Sequence, residues 1–324
     1  MSRILVAGET LIDFIPEERG PIHEVETFHR RAGGAPANVA VGLARLDDPP
    51  LFWTRVGDDP FGDHLVTTLA DAGVDGTFVE RDPNANTTLA FVSLDPDADR
   101  SFSFHRDGTA DTRMEPGTVP DETLGSVEWV HTGGVTLADE PSRAATFDLM
   151  RRASETPGTV VSFDPNARPE LFEEVAFDAA CRRAFALADV VKATAEDLIA
   201  AGLVDEDATD DDAPELAHRV CAAGPHTVLV TRGADGAVAR TEPGAPWHAG
   251  EEPVVVDHAG SAVDSVDTTG AGDAFTAGAI AALADGTPIG DAVGFANAVA
   301  ARSTTAKGAM GALPTRDAAA SLRE

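Results

Sequence analysis

The stretch Asp267-Thr268-Thr269-Gly270-Ala271-Gly272-Asp273-Ala274-Phe275 sets a Gly-Ala-Gly run between acidic residues and leads straight into an alanine-rich apolar segment. Small residues followed at once by helix formers predict a tight turn opening a helix, with first-turn amides unpaired and the positive end of the helix dipole facing outward. Such a terminus binds anions, phosphate above all, because the ligand can approach the backbone closely. Asp273 stands in the same turn. Its carboxylate either complements the helix dipole, worth about 0.3–1 kcal/mol, or takes a proton from a hydroxyl that attacks the bound phosphate. Taken alone, the stretch supports both readings.

A second glycine-rich element, AGGAPANVAVGLARL at 32–46, precedes another helical pattern. Asn38 stands before Val39, Leu43 and Leu46 at helical spacing, which predicts an N-cap, and the paired Gly33 and Gly34 give a ligand close access to the backbone.

The elements that must position these groups follow from the hydrophobic pattern. From about residue 126 the chain alternates short β-rich runs (SVEWVHTGG, VVSFDPN, DVVKAT, TVLVTRG) with helical segments such as RAATFDLMRRA and DAACRRAFALA. This implies right-handed crossovers and a mostly parallel sheet covered by helices. Polar residues gather at the carboxyl end of the runs, at Gly8-Glu9, Thr132-Gly133, Asp164–Asn166, Lys192 and Thr231–Gly233, the edge where open α/β sheets bind ligands. Two segments break the alternation. Residues 11–32 and 86–107 read as extended strands, the latter a hairpin turning at DPDAD, and together they predict a small β-sheet lid. A period of two puts Phe102, Phe104 and Arg106 on one face of the lid, with Arg106 either snorkelling at an edge or pointing into a pocket. The acidic DEDATDDDA at 205–213 reads as a solvated loop.

Composition excludes several classes. With 24 Lys+Arg against 55 Asp+Glu the formal charge is −31, and only two lysines occur, Lys192 and Lys307. Such a surface repels nucleic acid and anionic membranes, and its self-repulsion is relieved in molar salt, where the Debye length falls to about 3 Å. Adaptation to a salt-rich cytoplasm is therefore expected. The N-terminal run RILVAGE carries no signal-peptide pattern, and AFTAGAIAALA at 274–284 is too short to span a bilayer, so a cytoplasmic location is expected. Cys181 and Cys221 lack metal-ligand or redox spacing and read as reduced core residues. No GxxxxGK[ST], GxSxG or HExxH occurs, nor a GxGxxG behind a strand. A Walker ATPase, an α/β-hydrolase, a zincin and a dinucleotide dehydrogenase all lose their main support.

Together, AGGAPANVAVGLARL and DTTGAGDAF resemble the two signatures of the ribokinase-like sugar kinases, the PfkB carbohydrate kinases, and the likeness runs from GETLIDF to KGAMGALP. The resemblance implies one kinase domain over 1–324 with a ribokinase-like three-layer α/β/α core, and a lid formed by about 11–32 and 86–113. It also implies phosphorylation of a sugar hydroxyl by ATP with Mg2+. Within the family GETLIDFIP, RSFSFHRDGTAD, DPNAR and Lys192–Glu196 look most like fructokinases, with 2-keto-3-deoxygluconate kinases close behind. The likeness makes Asp273 the catalytic base and the backbone of Gly270, Ala271 and Gly272 the anion hole. Asp13, Gly33, Gly34 and Asn38 match sugar-contacting positions; Phe104, Arg106, Asn166 and Arg168 match the same pocket. Lys192, Glu196, Thr231, Gly233, Gly236 and Asn297 match nucleotide-side positions, Glu196 organising magnesium through water. Asp267, Thr269, Ser303 and Gly308 match an activating potassium site.

The sequence departs from the family pattern in places. Ala193 replaces an asparagine common in the family, and Ala312 replaces a frequent polar cation ligand, which weakens the expectation of potassium dependence. No tyrosine is present. Keto-deoxygluconate kinases usually present lid tyrosines to the substrate carboxylate, and Phe104 and His105 stand there instead, which tilts the expectation toward a neutral ketose. A nucleoside kinase, or a catalytically silent sugar sensor on the same fold, are the remaining alternatives. Pairing of two copies through the lid is a possible assembly.

Overall fold

The computed structural model describes residues 2–94, 100–172 and 175–322, so the turn expected at 95–99 lies outside the described residues. The strands are β1 (Ile4–Ala7), β2 (Leu11–Pro16), β3 (Phe28–Gly33), β4 (Leu51–Gly57), β5 (Val79–Asp82), β6 (Leu89–Leu94), β7 (Arg100–His105), β8 (Trp129–Gly133), β9 (Val160–Asp164), β10 (Val190–Ala193), β11 (Thr227–Thr231), β12 (Ala237–Thr241) and β13 (Val254–His258). They form a nine-stranded sheet ordered β13-β12-β11-β10-β9-β8-β1-β4-β5 and a four-stranded sheet ordered β3-β2-β6-β7. From β5 through β11 the large sheet is parallel, and β12 and β13 close one edge in antiparallel pairing.

The parallel strands are short apolar runs because both faces of the sheet are covered. Ile4 and Val6 enter one core with the helices Ala35–Arg45, Ala271–Ala284 and Ile289–Ser303, while Leu5 and Ala7 enter a second core with Ser142–Ser154, Phe177–Phe185 and Ala213–Cys221. This is the three-layer core expected from the alternation. Cys181 and Cys221 are unpaired.

The exception to apolar packing matters for chemistry. Side chains two apart share a face of a strand, so His131, Ser162 and Lys192 share the face of Trp129 and Val190, toward the Ala271–Ala284 helix. That helix is built almost wholly of alanine, glycine and a few larger apolar residues, and it is buried along most of its length. Its small residues let neighbours come close: a Cβ on Gly42 would lie 2.7 Å from Ala277 Cβ, and one on Gly278 would lie 2.9 Å from Ala296 Cα. Close crossings on two sides fix the helix axis, and its N-terminus comes down over the carboxyl ends of β9 and β10.

The small sheet joins two hairpins through the parallel pair β2 and β6. Cross-strand partners share a face. Phe14 stacks on Phe91 at 4.8 Å, and Phe14 and Ile12 pack with Phe61 and Leu65 of the Pro60–Asp71 helix. Asp13, Ala90 and Phe104 lie in register on the opposite face.

Candidate active site

That opposite face of the small sheet, the carboxyl edge of the large sheet and the start of the Ala271–Ala284 helix enclose a cavity of about 260 Å3. Its charged lining is Glu9, Asp13, Arg168, Lys192 and Asp273; Asn38, Asn166, Gly34 and the 268–272 turn complete the polar wall, and Leu11, Phe102, Phe104 and Val135 the apolar one. Phe102 and Phe104 stack at 5.8 Å, and the Arg168 guanidinium lies 5.2 Å from the Phe102 ring centre, tying the small sheet to the core.

Asp273 is the third residue of its helix. Gly270 caps it with φ +77, a left-handed conformation that favours glycine, and a Cβ there would also lie 2.8 Å from Ala309 Cβ. The Ala271 N–H donates to the Thr268 carbonyl at 3.2 Å, whereas of the expected anion-hole amides those of Gly270 and Gly272 have no backbone acceptor among the described residues. Burial pushes the Asp273 carboxyl up to about 6; the bond from Asn38 opposes this, Asp164 adds to it, and Lys192 and Arg168 oppose it.

Asn38 is not the N-cap that its spacing predicted. The helix begins at Ala35 with Pro36 in its first turn and Gly34 as the cap, because proline is pre-organised for that position. Asn38 therefore sits inside the helix, where its Nδ2 donates to Asp273 Oδ2 at 2.7 Å. The glycines before it make room: a Cβ on Gly33 would lie 2.0 Å from Asp13 Oδ2, and Gly34, with φ +99, would place one 2.6 Å from the Glu9 carbonyl oxygen. Burial pushes Asp13 up to about 7, reinforced by Asp273 and opposed by Arg168.

Glu9 was noticed in the sequence only as part of a polar strand end. It lines the cavity, its Oε1 accepts from the Ala35 N–H at 3.3 Å, and burial pushes its carboxyl up to about 8. Lys192 is likewise buried, with Nζ 3.1 Å from Asp164 Oδ2 and 3.3 Å from where a Cβ on Gly272 would stand. Burial pulls its ammonium down, but Asp164, Asp197 and Asp273 outweigh that and keep it charged. The neighbouring His131 is neutral, pushed down to about 3 by burial and then by Lys192.

A second cavity, of about 430 Å3, lies on the other side of the same turn, and Thr268 and Ala271 line both. Its wall is Gly233, Ala234, the residues 260–263, Ser265, Asn297, Ala300, Ala301 and Thr304, with no charged side chain among them. His258 Nδ1 accepts from the Gly260 N–H and from Asn297 Nδ2, each at 3.1 Å, and so fixes the segment against the Ile289–Ser303 helix.

Several expected residues lie elsewhere. Arg106 lines neither cavity. β7 ends at His105, and Arg106 turns under it to pair with Asp111 at 2.8 Å and with Asp139, joining a buried network with Thr109. His105 packs edge-on against Phe91, on the far face of the small sheet. Glu196 faces a shallow notch with Asp210 and Asp211, while its neighbour Asp197 turns inward to cap Thr194 and bind the Ala167 N–H at 2.7 Å. That notch gives part of the expected solvated loop a short helical turn, Asp210–Asp212, held by Thr209. Thr231 and Gly236 flank the second cavity without lining it; Gly236 is a close backbone approach, where a Cβ would lie 2.0 Å from the His258 carbonyl oxygen. Asp267 accepts from the Thr269 N–H at 3.0 Å and hydroxyl at 2.6 Å and from the Gly308 N–H at 2.9 Å, so these three meet. The Ser303 hydroxyl donates back into its own helix, to Ala300, and it is the backbone near Ser303 that the potassium expectation concerns.

The model of the pfkB family carbohydrate kinases matches residues 1–316. The chain belongs to this family. It is 36% identical to a fructokinase of Vibrio alginolyticus over 98% of this chain and 97% of that one. Among solved structures it is similar to the fructokinase of Xylella fastidiosa with bound ATP, at 32% identity and TM-score 0.83 over 99% and 98% of the two chains. It is also similar to a double mutant of the fructokinase from Vibrio cholerae O395 in a fructose-, ADP- and potassium-bound form, at 35% identity and TM-score 0.84 over 100% and 99%. The ribokinase-like fold is thus shared along the whole kinase chain.

Proposed function

We propose that this kinase transfers the γ-phosphoryl group of ATP to a hydroxyl of fructose. The observation that carries the reading is that two cavities of opposite character share Thr268 and Ala271 at one helix N-terminus. The charged cavity suits a polyhydroxy sugar, and the uncharged one suits a nucleotide base and ribose. ATP, when bound across the turn, supplies the phosphoryl group. Asp273, held toward the charged cavity, takes the proton of the attacking hydroxyl. The Gly270 and Gly272 amides and the Lys192 ammonium face the position where negative charge spreads. Asp13, Asn38 and Asn166 hold the remaining hydroxyls, and Leu11, Phe102, Phe104 and Val135 exclude water. The small sheet acts as the lid.

Among the described residues no group of three or more His, Cys, Asp or Glu side chains offers a cage for a metal. Mg2+, an ion that keeps waters and rides on phosphates, then comes with the nucleotide, beside the turn. Potassium, if used, would sit near Asp267, whose carboxylate holds Thr269 and Gly308 together beside the anion hole. The −31 charge with two lysines reflects adaptation to high salt; the thermal midpoint then rises in KCl and NaCl alike, and a midpoint indifferent to both would contradict it.

The test is a panel of sugars with ATP in molar KCl. Of the two cations lining the sugar cavity, Lys192 is already paired with Asp164, which leaves only Arg168 for an anionic substrate and disfavours one. The expected kcat/KM for fructose exceeds that for 2-keto-3-deoxygluconate by at least about tenfold, roughly 1.4 kcal/mol in transition-state binding. A preference for the sugar acid would reverse the assignment and give Arg168 the carboxylate.

A further inference from the structure

We infer that Asn38 is the positioning residue of the catalytic base, holding one oxygen of Asp273 so that the other faces the attacking hydroxyl; this rests on the reading of Asp273 as the base and goes beyond it.

The helix crossing dictates the contact. Asn38 stands one turn before Gly42, and Asp273 one turn before Ala277, and these two small residues mark a close approach of the helices, where a Cβ on Gly42 would lie 2.7 Å from Ala277 Cβ. Residues four apart lie on one helix face. The contact between Gly42 and Ala277 therefore sets the separation at which Asn38 Nδ2 meets Asp273 Oδ2, at 2.7 Å.

Chemistry then fixes the roles. An ionised carboxylate only accepts hydrogen bonds, so the amide nitrogen, and not the oxygen, turns toward it. The other end of the carboxamide, Oδ1, is buried without a partner among the described residues, and Asn38 lines the sugar cavity. The groups facing Asp273 from other elements are Asp13 on β2, Asp164 at the end of β9, Arg168 after it and Lys192 on β10. These oppose one another in sign. Asn38 is the neutral donor among them, and a donor to the ionised form favours that form.

The consequence is a shift in pH dependence. Activity of the wild-type kinase falls as pH drops through about 6, where Asp273 takes up its proton. In Asn38→Ala that acid limb moves up by about one pH unit, and in Asn38→Asp, where two carboxyls share a proton, it moves further. Gly42→Ala, which keeps both partners and forces the helices apart, moves it the same way by less. Retained ATP binding, measured calorimetrically, reports that each variant is folded. Upward shifts in two of the three variants support the inference. Acid limbs unmoved from wild type, with only the sugar KM raised, would reduce Asn38 to a sugar contact and overturn it. Asp273→Asn run alongside separates the two claims: if it keeps more than a tenth of wild-type kcat, the base assignment falls and this inference with it, whereas an inactive Asp273→Asn beside unmoved limbs sinks the inference alone.

Discussion

The two cavities that meet at residues 268–271 differ in how they are built. The smaller, about 260 Å3, is walled by five ionisable side chains brought from both sheets and a helix; the larger, about 430 Å3, is walled by glycine, alanine, serine, threonine, one valine and one asparagine. Charge in a buried site is expensive unless it is paired or used. The cell of carboxyls and cations is therefore specified residue by residue, and each change in it alters chemistry. The uncharged cavity recognises by shape and backbone, so only bulk should disturb it.

The largest effect that separates the two is expected at Lys192. Lys192→Met removes the cation beside Gly272 and should lower kcat by about 10²–10³, with sugar affinity nearly unchanged. It also leaves Asp164, 3.1 Å away, as an unpaired buried carboxyl. The double variant with Asp164→Asn should recover stability without recovering kcat. Recovery of both would mean that the lysine is only a structural partner.

On the uncharged side, Ala300→Phe inserts a ring into the larger cavity. The KM for ATP should rise at least about tenfold, roughly 1.4 kcal/mol, with the fructose KM within about twofold of wild type in steady-state kinetics. A change in the fructose KM as large as that in ATP would show that the cavities are not separately specified.

A smaller effect concerns Glu9. Burial raises its carboxyl to about 8, so the folded chain holds that proton more tightly than the unfolded chain does. Its contribution to stability is complete below the unfolded value, near 4.5, and is lost as pH rises through about 8. Glu9→Gln removes this loss and should be more stable than wild type at pH 9 by on the order of 1 kcal/mol, about 2 °C in Tm, with no gain at pH 5. Equal Tm differences at both pH values would show that Glu9 does not titrate in this range.

What could be read from the sequence divides along the same line. Asp273, Asp13, Arg168, Lys192 and Gly34 carry side-chain chemistry or its pointed absence, and the structure places all of them at the charged cavity. Alternation of strand and helix conveyed the layered core because each run buries one element. The segment 260–265 was not legible: its small residues follow an edge strand without period, and the cavity they line depends on His258 holding Gly260 and Asn297 together. Local spacing also misled. Asn38 sits where a cap would be expected, but Pro36 moved the helix start upstream. Arg106 follows the strand period on paper, yet β7 ends one residue earlier, and Asp111 and Asp139 draw the guanidinium into the core.

In the proposed mechanism a proton leaves a sugar hydroxyl for Asp273 while phosphoryl charge builds at the adjoining turn. Rapid-quench single-turnover transfer from ATP to fructose in molar KCl, comparing wild type with Asp273→Asn, measures that step apart from binding and product release. The expected result is a loss of at least about 10²–10⁴ in the transfer rate, with fructose affinity nearly unchanged. A loss of less than tenfold would contradict the assignment of Asp273 as the base.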